Sequence, residues 1–255
     1  MSKDKKVPPI EIDKDKLVSS KSPSLQDLLK QYLSKLKPED YPLYAVIGIA
    51  GPVNNNEVLS ITNIPHWPKF NGDELAKTFN FKKCVILNDF TCNGYGIQTD
   101  LKLNEDYIAL NDVKPQEGGA KLMIGPGTGL GMGYLLKDKD NEFYTIGSSE
   151  GGHQDYTAKN EDNFALREYF IAIFGDVAGD VSLFSCPTGG LYLVGGLSVA
   201  LEPLITSTNI FMDHFLSKDN FAFLLKTFPV YLIKNGDIGM IGAAECARRM
   251  LLLED

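Results

Sequence analysis

Several features that mark other classes of protein are missing from these 255 residues. No run of about 18 apolar residues occurs, so we expect no transmembrane helix. The first residues are charged and no apolar stretch follows them, which argues against a signal peptide. The four cysteines form no Cys-x-x-Cys pair, which argues against a zinc ribbon or a secreted disulfide scaffold. We therefore expect a cytoplasmic protein with reduced thiols.

Basic residues are also too few for a typical nucleic-acid-binding chain. Lys and Arg number 25 against 33 Asp and Glu, which gives a net charge of -8. No basic stripe offsets this excess, so neither nucleic acid nor a membrane is an expected partner. Apolar residues make up 44% of the chain, which is typical of a globular protein and argues against disorder.

Short apolar segments alternate with amphipathic ones along the chain. The expected strands are 44–50, 58–62, 84–87, 121–124, 134–136, 191–194 and 229–233. The expected helices are 25–36, 72–80, 163–174 and a closing helix from 237. This alternation predicts an α/β architecture with largely parallel strands. We place a smaller α/β lobe at 1–99, completed by the closing helix 237–255, and a larger α/β lobe at 100–236.

The most distinctive motif has glycine at every second position from Gly125 to Gly133. Without a Cβ, the backbone can come close to a ligand and direct its N–H groups at anionic oxygens. The chain has no Gly-Lys dipeptide, so this is not a Walker A loop, and the spacing does not fit the dinucleotide fingerprint. The motif predicts a strand–loop–strand hairpin that either binds phosphate or is only a tight turn.

Two polar motifs are candidates for chemistry on a hydroxyl group. Asn88 and Asp89 follow an apolar strand, where open α/β sheets bind ligands. Asp89 could accept a proton from an attacking hydroxyl that Asn88 orients, or the pair could simply cap the next helix. Glu150 and His153 flank two glycines and could hold a small polyol, or lie in a solvated loop. The other histidines lack matching ligand spacing, so we assign no metal ligand.

In this order, these motifs resemble those of bacterial-type glucokinases. The match runs from about Leu17 to Leu252, and the motifs that carry it are Ile49–Val53, Ile61–Asn63, Asn88–Phe90, Gly125–Gly131, Glu150–His153, Gly189–Gly196 and Gly239–Ala243. Several motifs in a fixed order make a chance similarity improbable.

The resemblance implies an actin-like (ribonuclease H-like) two-lobed sugar kinase of the hexokinase superfamily. Such an enzyme phosphorylates glucose at the 6-hydroxyl in glycolysis, uses ATP with Mg²⁺, and forms a homodimer. By position, Asp89 would be the general base, and Asn88, Glu150 and His153 would bind other sugar hydroxyls. The nucleotide would contact six residues, with the phosphates at Gly125, Gly127, Thr128 and Gly129 and the adenosine near Gly195 and Gly196.

Two parts of the family pattern are missing from this sequence. Family members open with a strand, an Asp-x-Gly-Gly-Thr-Asn turn that contacts ATP, and a second strand, but here no glycine precedes Gly48. A long stretch with a Ser-Gly-x-Gly turn and a glucose-binding glutamate should also lie between His153 and the helix before Gly189. Losing one phosphate clamp costs on the order of 10²–10³ in rate. We therefore expect an incomplete small lobe, and the alternative function is a catalytically impaired glucose-binding homologue or a fragment of a longer kinase.

Overall fold

The computed structural model describes residues 11, 13–61, 63–127, 129–137, 143–153 and 166–252. The chain divides into two compact units, Met1–Thr99 with Gly239–Asp255, and Asp100–Ile238. In the described part of the chain, no helix has the length and apolar character needed to cross a membrane.

Ten strands and nine α-helices are seen in the described ranges. The strands are β1 (Tyr44–Ile49), β2 (Val53–Asn54), β3 (Glu57–Val58), β4 (Lys83–Asn88), β5 (Tyr107–Ala109), β6 (Lys121–Pro126), β7 (Leu130–Leu136), β8 (Thr145–Ser149), β9 (Gly190–Leu193) and β10 (Val230–Ile233). The helices are α1 (Leu25–Leu33), α2 (Gly72–Thr78), α3 (Asp89–Gly96), α4 (Leu166–Ser185), α5 (Gly196–Ala200), α6 (Glu202–Ser207), α7 (Ile210–Leu216), α8 (Ala222–Leu225) and α9 (Ile238–Leu252). Short 3-10 helices lie at Ser19–Lys21, Pro38–Asp40, Gly151–His153 and Asp219–Phe221.

The first unit is built on the parallel pair β1 and β4, with Ile49 opposite Asn88 at their carboxyl ends. Helix α1 begins where the Ser24 hydroxyl accepts a hydrogen bond from the Asp27 N–H, an ordinary N-cap. Its leucines pack on a buried core that lies around the sheet and α2. The core residues are Leu33, Val58, Ile61, Trp67, Phe70, Leu75, Phe79, Phe81, Cys84 and Ile86.

Helix α3 packs on β1 and β4 and also contacts α9 closely. A Cβ placed on Gly242 of α9 would lie only 1.8 Å from the carbonyl oxygen of Cys92. The two helices can therefore approach this closely only because residue 242 has no side chain. This contact explains the glycines of the closing motif as packing residues, and it supports the helix on which Asp89 lies.

The second unit is a six-stranded sheet in the order β5-β10-β9-β6-β7-β8. Strand β9 pairs in parallel with β6 and β10, and the other three pairings are antiparallel. Helices α4 and α7 pack together over a core that includes Ile124, Leu193, Phe211 and Phe215. The α/β prediction is confirmed, but largely parallel pairing is wrong here, because the glycine hairpin, the β8 strand that follows it and β5 all pair antiparallel.

Several predicted elements differ in length from the structure, and packing explains two of the differences. Residues 58–62 were expected to form a strand, but the strand ends at Val58, and Thr62 lies outside the described residues. Val58 and Ile61 are buried while Leu59 is 44% exposed, so the apolar run reflects an irregular segment packing on the core. The helix expected at 163–174 continues to Ser185. Glycines inside it serve close packing, since a Cβ on Gly175 would lie 2.5 Å from the Phe211 carbonyl oxygen of α7.

Candidate active site

Asn88 and Asp89 lie where β4 ends and α3 begins. The Asn88 side chain is the N-cap of α3, and its Oδ1 accepts a hydrogen bond from the Phe90 N–H at 2.9 Å. Its Nδ2 donates to the Gly51 carbonyl at 3.2 Å, in the loop that follows β1. The capping alternative is therefore the role that the structure shows for Asn88. An amide has two N–H groups and two acceptor lone pairs, so half of its hydrogen-bonding capacity is left for a ligand.

Asp89 is the first residue of α3, and its side chain is exposed. The Phe90 N–H also donates to Asp89 Oδ1 at 3.0 Å. Acidic side chains are favoured at the N-terminus of a helix, so an aspartate suits this position. An exposed carboxylate at the carboxyl end of a sheet strand is placed where a hydroxyl substrate can reach it.

A buried thiol lies one turn further along the same helix and is unreactive. Cys92, one turn along α3, is 2% exposed. Burial raises the pKa of the Cys92 thiol to about 12, and the nearby Cys246 and Asp89 add to the effect. Since the thiolate is the reactive form of cysteine, Cys92 is a packing residue.

In the second unit, the glycine motif forms the hairpin between β6 and β7. Gly125 pairs with Gly131, and the Gly127 N–H donates to the Gly129 carbonyl at 2.7 Å. Thr128 lies outside the described residues. A Cβ on Gly127 would meet nothing nearer than 3.9 Å, and one on Gly129 would meet nothing within 4 Å. Packing does not require glycine at these two exposed positions, which is the pattern expected where the backbone approaches a ligand.

The second glycine pair lies beside this hairpin at the same edge of the sheet. Strand β9 runs parallel to β6, and the Val194 N–H donates to the Ile124 carbonyl at 2.9 Å. Gly195 follows with φ +94°, and a Cβ on it would be 3.7 Å from the Pro126 carbonyl oxygen. The structure thus brings five of the predicted nucleotide-binding residues to the same end of the strands. They are Gly125, Gly127, Gly129, Gly195 and Gly196.

Glu150 follows β8, which pairs with β7 so that Ser149 lies opposite Met132. The next turn packs on the hairpin, since a Cβ on Gly152 would lie 1.6 Å from the Leu130 carbonyl oxygen. Glu150 is exposed at this edge of the sheet. His153 ends the 3-10 helix, and its side chain lies outside the described part of the structure.

A cavity of about 410 Å³ separates the hairpin from α4. Its walls are the backbone of Gly127, Gly129, Gly151 and Gly152 and apolar side chains that include Phe170, Phe174 and Val177. Within the described residues, no group of three His, Cys, Asp or Glu could hold a metal ion. This end of the sheet therefore offers backbone N–H groups and apolar surface to a ligand, and Asp180 of α4 also lines the cavity.

Comparison with known proteins identifies the family. A family model described as glucokinase matches residues 2–170 and 165–250. The chain belongs to the glucokinase family.

Relatives and solved structures agree with this assignment. The glucokinase of a Nostoc species is 28% identical over 89% of this chain and 88% of its own length, and that of Helicobacter pylori is 23% identical over 90% and 86%. The glucokinase structure from an Antarctic psychrotroph has a TM-score of 0.75 at 22% identity and covers 91% of this chain and 88% of its own. A Streptomyces griseus glucokinase with glucose and AMPPNP has a TM-score of 0.53 at 16% identity, covering 89% of each chain. The predicted family, fold class and sugar-kinase activity are confirmed at the level of the family.

The glucokinase relatives are longer within the matched region than this chain. The Nostoc alignment extends over 311 positions, whereas only 89% of these 255 residues take part, so roughly 80 positions are filled by the relative alone. The family match also falls into two segments that meet at residues 165–170. The sequence predicts a missing internal stretch just before this point.

Proposed function

We propose that this chain transfers the γ-phosphoryl group of ATP to the 6-hydroxyl of glucose, with Asp89 as the general base. The observation that carries the proposal is the exposed Asp89 carboxylate at the carboxyl end of β4, held at the start of α3 by the Asn88 cap. Asp89 would accept the hydroxyl proton as the oxygen attacks phosphorus. Phosphoryl transfer needs mainly positioning and charge neutralisation, so one base and one phosphate-binding backbone suffice in principle.

In the second unit, the glycine motifs would bind the nucleotide. Gly127 and Gly129 leave room for phosphate oxygens, and the adjoining Gly195 and Gly196 leave room for the adenosine. Mg²⁺ usually reaches a kinase on the phosphates of ATP with only one or two protein carboxylates, which fits the lack of a three-ligand cluster in the described residues. When bound, it would neutralise charge on the phosphates. Glu150 and His153 would bind sugar hydroxyls.

A coupled assay for ADP tests the role of Asp89. Asp89→Asn should lower kcat for glucose by about 10²–10⁴, because it removes the base but keeps the side-chain shape. Glucose affinity measured by calorimetry should change little. The matched control is Asp40→Asn, an exposed aspartate of a 3-10 helix, which should leave kcat unchanged. Equal turnover in Asp89→Asn and the wild type would exclude Asp89 as the base.

The phosphate loop has its own test. Gly127→Ala and Gly129→Ala add a methyl group that meets no protein atom closer than 3.9 Å, so the fold and its Tm should not change. A methyl group pointing at ATP should instead raise KM for ATP by about tenfold or more. Gly236→Ala is the control, since a Cβ there also meets nothing within 4 Å. Unchanged KM for ATP in both variants would show that the phosphates of ATP do not bind at this hairpin.

The second candidate is a glucose-binding homologue that has lost turnover. It is favoured by the roughly 80 alignment positions that only the Nostoc glucokinase fills. Calorimetry separates the two candidates, because this one predicts measurable glucose affinity without measurable ATP-Mg affinity.

A further inference from the structure

On the side of β4 that faces away from β1, the side chain of Asn56 forms hydrogen bonds with the strand backbone. Asn56 lies in the turn between β2 and β3, and its Nδ2 donates to the Cys84 carbonyl at 2.9 Å. Its Oδ1 accepts from the Ile86 N–H at 2.8 Å. Among the described residues, β4 has no partner strand other than β1. The Asn56 amide therefore occupies the place of a third strand.

The two hydrogen bonds follow the pattern of a parallel ladder. In such a ladder, a residue donates its N–H to one residue of the neighbouring strand and accepts from the residue two positions further on. Cys84 and Ile86 are related in this way, with Val85 between them on the β1 side. The amide side chain thus reproduces what one residue of a neighbouring parallel strand would contribute.

Other residues hold the Asn56 amide in this position. Asn56 has φ +61°, and its carbonyl accepts from the Gly72 N–H at 2.8 Å. The amide also donates to Asp73 Oδ1 at 2.9 Å. A Cβ on Gly72 would lie 2.4 Å from Asn56 Nδ2, so the first residue of α2 leaves space for this amide.

We propose that Asn56 is a positioning residue for Asp89. It braces Cys84 and Ile86, and the same strand ends two residues later at Asn88, which caps the helix that carries Asp89. A carboxylate that must meet a hydroxyl and a phosphorus atom in line depends on the position of its strand end, and a displacement of about 1 Å can cost 10²-fold in rate. The inference rests on the proposed function of Asp89. It adds Asn56, in the turn between β2 and β3, to the residues on which that function depends.

Asn56→Gly is the direct test, because glycine keeps the positive φ and removes only the amide. We expect kcat for glucose to fall by about 10–100-fold, with KM for ATP within twofold, since the nucleotide residues lie in the second unit. The matched control is Asn55→Gly in the same turn, where the exposed asparagine has φ +48°. This control should stay within twofold of the wild type in kcat. Asn56→Asp keeps the acceptor for Ile86, but it loses the donors to Cys84 and Asp73 and should also lower kcat.

A double-mutant cycle separates positioning from a merely structural role. If Asn56 acts through Asp89, adding Asn56→Gly to Asp89→Asn should lower the residual rate by less than twofold. A structural defect unrelated to Asp89 would lower it by the same factor as in the wild type. That second result, or an Asn56→Gly enzyme with kcat within twofold of the wild type, would overturn the proposal.

Amide hydrogen exchange gives a readout that does not require turnover. Asn56→Gly should speed exchange at Ile86 and Phe90 by about tenfold or more, and Asn55→Gly should not. If the wild type fails to phosphorylate glucose, the proposed function fails, and the exchange result still shows whether Asn56 holds the strand end. Unchanged exchange at both amides would reject the bracing role by itself.

Discussion

The side-chain amide of Asn88 donates a hydrogen bond to the main-chain carbonyl of Gly51, with 3.2 Å between Nδ2 and the oxygen. The bond joins the end of β4 to the loop that follows β1, and the other atom of the same amide caps α3. Two distant parts of the sequence thereby fix the segment that presents Asp89. Asn88 therefore has a structural task whether or not it also contacts a sugar.

The first prediction concerns this bond. Asn88→Asp keeps the acceptor for the Phe90 N–H but places a carboxylate oxygen against the Gly51 carbonyl. Repulsion there and next to Asp89 should lower the free energy of unfolding by about 1–3 kcal/mol and kcat by about tenfold or more. Urea unfolding and the ADP assay measure the two effects. Asn209→Asp, at an exposed asparagine that precedes α7, should change neither, and an equal effect in both variants would contradict the assigned bond.

The second prediction concerns the contact between α3 and α9. Gly242→Ala would place a methyl group 1.8 Å from the Cys92 carbonyl oxygen and force the helices apart. Overpacking of this kind costs about 1–3 kcal/mol, so Tm should fall by several degrees. Gly236→Ala adds the same methyl group in open space and should leave Tm unchanged. A Gly242→Ala protein as stable as the wild type would show that the two helices do not touch here.

The third prediction concerns a buried ion cluster on α9. Glu245 accepts hydrogen bonds from Arg248 Nε at 2.6 Å and from Arg249 Nε at 2.8 Å, and all three residues are at most 9% exposed. Burial by itself would raise the pKa of Glu245, but the two arginines outweigh it and hold the pKa below its ordinary value of 4.5. Glu245→Gln leaves both arginines without their carboxylate and should cost about 3 kcal/mol at pH 7.

The pH dependence of this cost has a definite sign. A carboxyl whose pKa is lowered in the folded state stabilises the protein above its unfolded pKa, and this contribution is lost as the pH falls through the folded pKa. The difference in the free energy of unfolding between wild type and Glu245→Gln should therefore be constant from pH 7 to about 5 and shrink below pH 4.5. The exposed Glu39→Gln is the control. A difference that grows on acidification would contradict the ion cluster.

The fourth prediction concerns the thiols. Cys186 is exposed, whereas Cys84, Cys92 and Cys246 are buried. Burial raises the pKa of Cys84 to about 11 and that of Cys92 to about 12, so both remain protonated well above pH 8. A disulfide reagent at pH 8 should modify one thiol rapidly and the others about 100-fold more slowly. Cys186→Ser should abolish the rapid phase, and its persistence would place another thiol at the surface.

Local signals in the sequence predicted much of this structure. The strand before Asn88 and the hairpin around Gly127 follow from short apolar runs and glycine spacing, which are properties of neighbouring residues. The residue types also identified Asn88 as either a cap or a ligand, and the structure shows the cap.

Contacts between distant residues could not be predicted in this way. No local pattern relates Asn56 to Ile86 or Gly242 to Cys92, because each pair meets only after the chain has folded. The run of asparagines at 54–56 indicates a turn. The two hydrogen bonds that Asn56 makes to β4, however, depend on the strand edge that faces away from β1. The signal that could have identified Asn56 is the edge of β4, where backbone N–H and C=O groups require hydrogen-bond partners.

Helix α9 follows the second unit in the chain, and this order bears on how the protein is made. Helix α3 is synthesised early, but the helix that packs on Cys92 leaves the ribosome only after the whole second unit. At ordinary rates of translation this delay is on the order of ten seconds or more. During that interval the turn of α3 around Cys92 is uncovered in the nascent first unit, so chaperones that bind incompletely packed segments should associate with the growing chain until α9 emerges.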